Sequence, residues 1–182
     1  MRLAQLEVVL DDRLNKKAPV TIPPNGRSML ADGLWIITLI VGILQLLASY
    51  WLWEAGHRID SLVDYANAVS SYYGGAPLAA THLSPFFYLS LLGMGTVAAL
   101  LLLASPGLKA MKKDGWQMAY YAVIIEAATA VLLLLTKQGG FDDFLLSLLG
   151  VVVGAYVLFQ VRDRFKTHKA AHGHPANDDP SE

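Results

Sequence analysis

The sequence predicts an all-α integral membrane protein: a four-helix bundle, open to description as two parallel-repeat hairpins, flanked by short amphipathic interfacial helices. Three observations carry that prediction. Of 182 residues, 54% are hydrophobic and 16% charged, and the mean hydropathy of +0.42 lies beyond the usual range of a soluble domain. Four apolar stretches approach the roughly 20 residues that a helix rising about 1.5 Å per residue needs to cross about 30 Å of hydrocarbon. Lysine and arginine, finally, gather on alternate sides of those stretches, as the positive-inside rule requires of a multi-pass chain.

Residues 1–32 read as a cytoplasmic amphipathic helix and linker. Leu3, Leu6, Leu10 and Leu14 recur at three-and-four spacing ahead of the breaker "TIPPNG". Such a stripe suits a helix lying on the membrane surface or on the bundle, with a partner-binding coil as the sharper alternative. The transmembrane domain, 33–161, follows with spans at 33–53, 85–104, 115–136 and 143–161. Asp32, Ser84 with Pro85, Asp114, and the pair Asp142 and Asp143 stand where caps are expected. Ser105-Pro106-Gly107 is expected to break the second helix.

The outer loop, 54–84, carries a second apolar stripe at Ile59, Leu62, Val63, Ala66, Val69 and Tyr73 that ends at Gly74-Gly75. It too is expected at the interface, although a loop of this size can cap a cavity or meet a partner. The tail, 162–182, is polar and expected to be disordered.

Charge sets the direction of the spans. Arg2, Arg13, Lys16, Lys17 and Arg27 precede the first span, and Lys109, Lys112 and Lys113 separate the second from the third. Arg162, Arg164, Lys166 and Lys169 follow the fourth, whereas only Arg58 and Lys137 fall in the other two loops. Both termini are therefore expected in the cytoplasm, with the first span acting as an uncleaved signal anchor. Aromatic residues collect at the span ends: Trp35, Trp116 and Phe159 at one surface, and Tyr50, Trp51, Trp53, Phe86, Phe87 and Phe141 at the other. That distribution is an aromatic belt.

Within the third span "AVIIEAATAVLLLL" places a carboxyl, Glu126, at bilayer depth, where an ionisable group is expensive and needs a reason. The first and third spans open alike, as Asp32-Gly33-Leu34-Trp35 and Asp114-Gly115-Trp116, and Gln45 and Glu126 each lie ten residues beyond the tryptophan. Both side chains then fall roughly 15 Å into the membrane, which suggests a parallel repeat.

Small residues share their helix faces: Ala119, Ala122, Thr129 and Ala130 around Glu126, and Thr38, Gly42, Ala48 and Ser49 around Gln45. Gly93 and Gly95 in the second span, with Ser147 and the GxxxG pair Gly150 and Gly154 in the fourth, complete a set of close-packing faces. Two roles for Glu126 follow. In one it is neutral and donates a hydrogen bond to Gln45 or a backbone carbonyl, fixing which faces meet. In the other it is the proton or cation site of a small transporter or channel subunit.

Other chemistry is thinly represented. Without cysteine there are no disulfides, thiol nucleophiles or thiolate metal sites. A net charge of -1 offers no basic patch for nucleic acid. "GMGTVA" at Gly93 to Ala98 matches a dinucleotide pattern, but it lies inside a span with no preceding strand to form the phosphate cradle. His168, His172 and His174 could gather a metal ion but sit in the polar tail, where a solvated segment is the expected reading; His57, Asp60, Asp64 and His82 in the outer loop could supply an acid, a base or metal ligands, but their spacing matches no motif and exposed loop charges are expected. No enzyme, metal or cofactor is expected.

The segments "KKDGWQMAYYAVIIE" and "GVVVGAYVLFQVRDRF" resemble the closing hairpin of small, uncharacterised four-span membrane proteins of candidate-phylum bacteria of the Saccharibacteria type. The resemblance covers about the last third of the spanning region. It implies a bacterial plasma membrane and assigns no catalytic or binding residue. The expected partners are the lipid bilayer and either a second copy or another membrane protein. The expected role is that of a scaffold or accessory subunit, with the transporter or channel as its alternative.

Overall fold

A computed structural model describes residues 3–16, 21–77, 83–135 and 141–165. The described residues are helical and contain no strand. Helix α1, Leu3–Asp11, runs into a π-helical turn, Asp12–Lys16; then come α2, Pro24–Tyr72, α3, Pro85–Lys109, α4, Lys113–Leu135, and α5, Phe141–Gln160, with a last 3-10 turn at Arg162–Arg164. The four long helices pack in chain order: α3 lies against α2 and α4, and α5 against α4 and the N-terminal segment.

Helices α2 and α3 are each long and apolar enough to cross a membrane, with a mean hydropathy of 2.1 in their most apolar windows. Only 22% and 17% of those windows are buried within the chain, far less than the core helix of a water-soluble domain would bury. Residues Phe144–Gln160 form a shorter apolar helix.

Three element boundaries differ from expectation. Helix α2 begins at Pro24, not at 33, so Asp32 lies inside it rather than capping it. The breaker "TIPPNG" starts the helix because proline is favoured in the first turn, where its missing N–H would be unpaired in any case. The same helix does not end at 53. It runs on to Tyr72, 49 residues in all, through what was expected to be an outer loop.

From Trp53 to Tyr72 the chain holds no proline and one glycine, and extending an existing helix needs no new nucleus. It stops at Gly74, whose φ of +75° is the left-handed conformation of a helix C-terminus. There Gly75 N donates to Ser70 O at 2.8 Å and Gly74 N to Ser71 O at 3.0 Å, the bond pair of a Schellman cap.

Ser105-Pro106-Gly107 likewise fails to end α3, which passes through Pro106 to Lys109. The extra turn buries Leu108 and carries Gly107 onto Gly115 of α4. A Cβ on Gly107 would stand 2.7 Å from the Gly115 Cα, and one on Gly115 would collide with the backbone of Gly107 and Leu108. Two glycines thus permit backbone contact between antiparallel helices. The turn itself is a second Schellman cap: Lys112 N donates to Gly107 O at 2.9 Å, Met111 N donates to Leu108 O at 3.0 Å, and Met111 takes a φ of 52°. At the other end of α3 the expected cap is present, Ser84 Oγ accepting from Phe87 N at 3.3 Å.

The principal core gathers at one end, here called the base, where all four long helices contribute. Ala31 and Leu34 of α2 meet Ala104 and Leu108 of α3, Trp116 and Tyr120 of α4, and Leu158 and Phe159 of α5. Trp116 and Phe159 are therefore not members of an aromatic belt. Their rings pack edge to face at 5.4 Å, Tyr120 stacks on Trp116 at 5.6 Å, and Trp116 Nε1 donates to Leu158 O at 2.8 Å. An indole can be buried this way because its one polar atom finds an acceptor. Tyr50, Trp51, Trp53 and Phe86, at the other end, are exposed.

Candidate functional site

The structure brings Gln45 and Glu126 together. Gln45 Nε2 of α2 donates to Glu126 Oε2 of α4 at 3.4 Å, a long and hence weak hydrogen bond. Ser147 of α5 lies near the Glu126 side chain, so the carboxyl stands among three helices. Among the described residues no lysine, arginine or histidine forms an ion pair with it.

The small residues expected to pack helices divide into two groups. Ala122 and Ala130 are buried, and Gly93 faces Thr129, whose Oγ1 would lie 2.6 Å from an added Cβ. Gly56 fits equally closely under Phe87, and Gly42 somewhat less closely under Leu101 and Leu102, at 3.1 Å or more. The GxxxG pair behaves differently: a Cβ on Gly154 would meet only Val123 at 3.8 Å, and one on Gly150 nothing within 4 Å. Among the described residues the α5 glycines therefore form no tight contact.

A polar cluster at the base escaped the sequence reading. Gln160, at the end of α5, is 1% exposed. Its Nε2 donates to Leu14 O at 2.8 Å, and its Oε1 accepts from Ile22 N at 3.4 Å, so one amide grips the chain both after the N-terminal helix and before α2. Arg162 ion-pairs with Glu7 and, at 3.0 Å, with Asp11, and lies over the Trp116 ring at 5.4 Å. Burial alone would lower the Arg162 pKa, but the carboxylates of Asp11 and Glu7 outweigh it and push the value up, so this guanidinium stays charged.

Leu10 and Leu14 pack against the base core. The N-terminal helix thus docks on the bundle. The Tyr120 hydroxyl, within the same core, is buried without a hydrogen-bond partner among the described residues.

Beyond the opposite end of the bundle, Glu54, His57, Arg58, Ser61 and Leu62 line an open groove of about 510 Å³ along α2. Glu54 and Arg58 pair with each other at 3.0 Å, and Trp53 packs on His57 with ring centroids 4.0 Å apart. Asp60 and Asp64 lie on the same helix; His82 and the tail histidines lie outside the described residues. Among the described residues no three histidine, aspartate or glutamate side chains cluster as metal ligands would.

No protein-family model, curated protein or solved structure matches the chain.

Proposed function

We propose that this is a non-enzymatic integral membrane protein whose four long helices span a bacterial plasma membrane and act as a scaffold or accessory subunit. Its apolar exterior supports the membrane reading. Ile40, Ile43, Leu44 and Leu47 on α2, and Leu92 and Leu103 on α3, are exposed in the middle of their helices, where lipid rather than water would satisfy them. The resemblance of the last hairpin supports the bacterial membrane, and the lysine and arginine pattern supports cytoplasmic ends.

The observation that carries the structural role is the shared carboxyl. Glu126 of α4 accepts from Gln45 of α2 and has Ser147 of α5 nearby, an arrangement suited to a side chain that fixes helix register. Interhelical bonds of this kind contribute about 0.5 to 2 kcal/mol in a membrane.

The test is a pair of variants in liposomes, assayed for resistance to unfolding by detergent and for proton and cation flux. Glu126→Gln, which retains hydrogen bonding, is expected to preserve stability, while Glu126→Leu lowers it by about 0.5 to 2 kcal/mol. Flux carried by the wild-type protein and lost in Glu126→Gln would overturn the scaffold reading and make the protein a transporter or channel subunit.

A further inference from the structure

We propose that the outer part of α2, from Leu52 to its C-terminal cap at Tyr73, pairs with the same segment of a second copy as a parallel, in-register, two-stranded coiled coil. The inference rests on the membrane reading above and names the partner and the surface it uses.

If residues 33–53 cross the bilayer, the unbroken helix beyond Trp53 stands about 28 Å clear of it. A rod in that position cannot lie on the membrane surface, yet it carries an apolar stripe into water. Ile59 is 59% exposed, Leu62 67% and Tyr73 81%.

The stripe has the spacing of a coiled-coil seam. Leu52, Ile59, Ala66 and Tyr73 repeat every seven residues, and Ala55, Leu62 and Val69 fall three residues after the first three of them. All seven are apolar over more than three heptads, the length at which the pattern becomes informative. Every charged residue of the segment, Glu54, Arg58, Asp60 and Asp64, lies off the seam, so two copies in register bring no like charges into it.

Residue choice and symmetry select the partner. A β-branched residue at the first core position with leucine at the second, as in Ile59 and Leu62, favours two strands in a parallel coil. Two copies inserted in one membrane with the same orientation can pair only in parallel, about a twofold axis along the membrane normal. Tyr65 and Tyr72 flank the seam and are exposed. Aromatic side chains bury about 150–250 Å² each, which brings the stripe to the order of the roughly 800 Å² per partner of a standard interface.

The seam also leaves the existing contacts intact. At about 100° per residue it lies roughly a quarter turn around α2 from Gly56, which faces Phe87 of α3. A second copy can therefore dock without displacing α3.

The chain contains no cysteine, so single cysteines report the pairing directly. Full-length Leu62→Cys, Val69→Cys and Asp64→Cys proteins are reconstituted in liposomes, oxidised and run without reductant. Disulfide-linked species of twice the chain mass are expected for Leu62→Cys and Val69→Cys and not for Asp64→Cys. Adding Leu62→Asp to Val69→Cys should abolish the crosslink.

Monomers at both seam positions, or equal crosslinking at Asp64→Cys, would overturn the pairing; so would a crosslink of Val69→Cys to a species other than a second copy. Flotation of the same liposomes separates the two levels of the argument. Protein that floats but does not crosslink loses only the coiled coil, whereas protein left at the bottom of the gradient loses the membrane reading and the pairing with it.

Discussion

At the base, α2 gives Ala31 and Leu34 to a buried cluster shared with three other helices; further along the same helix, Ile59 and Leu62 stand exposed. The base pairs most of its polar groups internally, through Gln160, Arg162 and the Trp116 indole, with the Tyr120 hydroxyl the exception, while among the described residues beyond Trp53 the ionic contact is the local pair Glu54 and Arg58. One helix therefore has an end completed by its own chain and an end whose apolar side chains are not. Similar residues occupy both ends, so hydrophobicity alone does not distinguish a core from a docking surface. What distinguishes them is whether a neighbouring helix stands opposite.

The sharpest way to break the comparison is to remove the ring at the centre of the base. Trp116→Ala should lower unfolding stability in detergent by about 3–5 kcal/mol, since it deletes two aromatic contacts and leaves the Leu158 carbonyl without its donor. Gly115→Ala places a methyl group against the Gly107 and Leu108 backbone and should cost about 3 kcal/mol on the same titration. A change below half a kcal/mol would mean that the α3–α4 turn opens without penalty, and that its close approach is not needed.

Arg162→Ala removes the guanidinium that Glu7 and Asp11 share and should cost about 1.5–3 kcal/mol. Its signature is local: amide exchange in Leu3–Asp11 should accelerate while α3 stays protected. Uniform acceleration would show that the N-terminal helix belongs to the cooperative core rather than being clamped onto it.

The smallest effect belongs to Gly150→Ala, where an added methyl meets open space and should raise stability by about 0.4–1 kcal/mol through the unfolded chain. A loss of stability confined to conditions that favour oligomers would move α5 into the class of the outer α2 segment, as a surface packed by another copy.

The sequence makes some of this legible and conceals the rest for physical reasons. Long apolar stretches and capping residues are local signals, and α3 begins at Ser84 with Pro85 as expected. The level of Gln45 and Glu126 was also accessible, because ten helical residues past each tryptophan is a fixed rise, and their side chains do meet. Ser147 was visible as a small residue of the fourth span but not as a neighbour of that contact.

Gln160 could not be found from its surroundings. Its partners at Leu14 and Ile22 lie 146 and 138 positions away, and nothing in "LFQVRDRF" distinguishes it from any polar residue at the end of an apolar stretch. Arg162 counted in the sequence as a charge at a membrane surface, and its pairing with Glu7 and Asp11 depends on how the N-terminus returns.

Glycine misled in both directions. "SPG" suggested a break, yet Gly107 serves contact with Gly115; GxxxG suggested contact, yet Gly150 has none among the described residues. A small residue permits close approach, and the fold decides which neighbour uses it.

The unbroken course of α2 has a mechanical consequence. Forty-nine residues at about 1.5 Å each make a rod of about 73 Å with no internal hinge, so a tilt at the base moves the far tip by about 1 Å per degree. Rotation about the long axis is transmitted in the same way, turning Ile59 with Leu34. Whatever clamps or releases the base therefore also aims the distal surface, and the tilt of the tip reads the posture of the buried end.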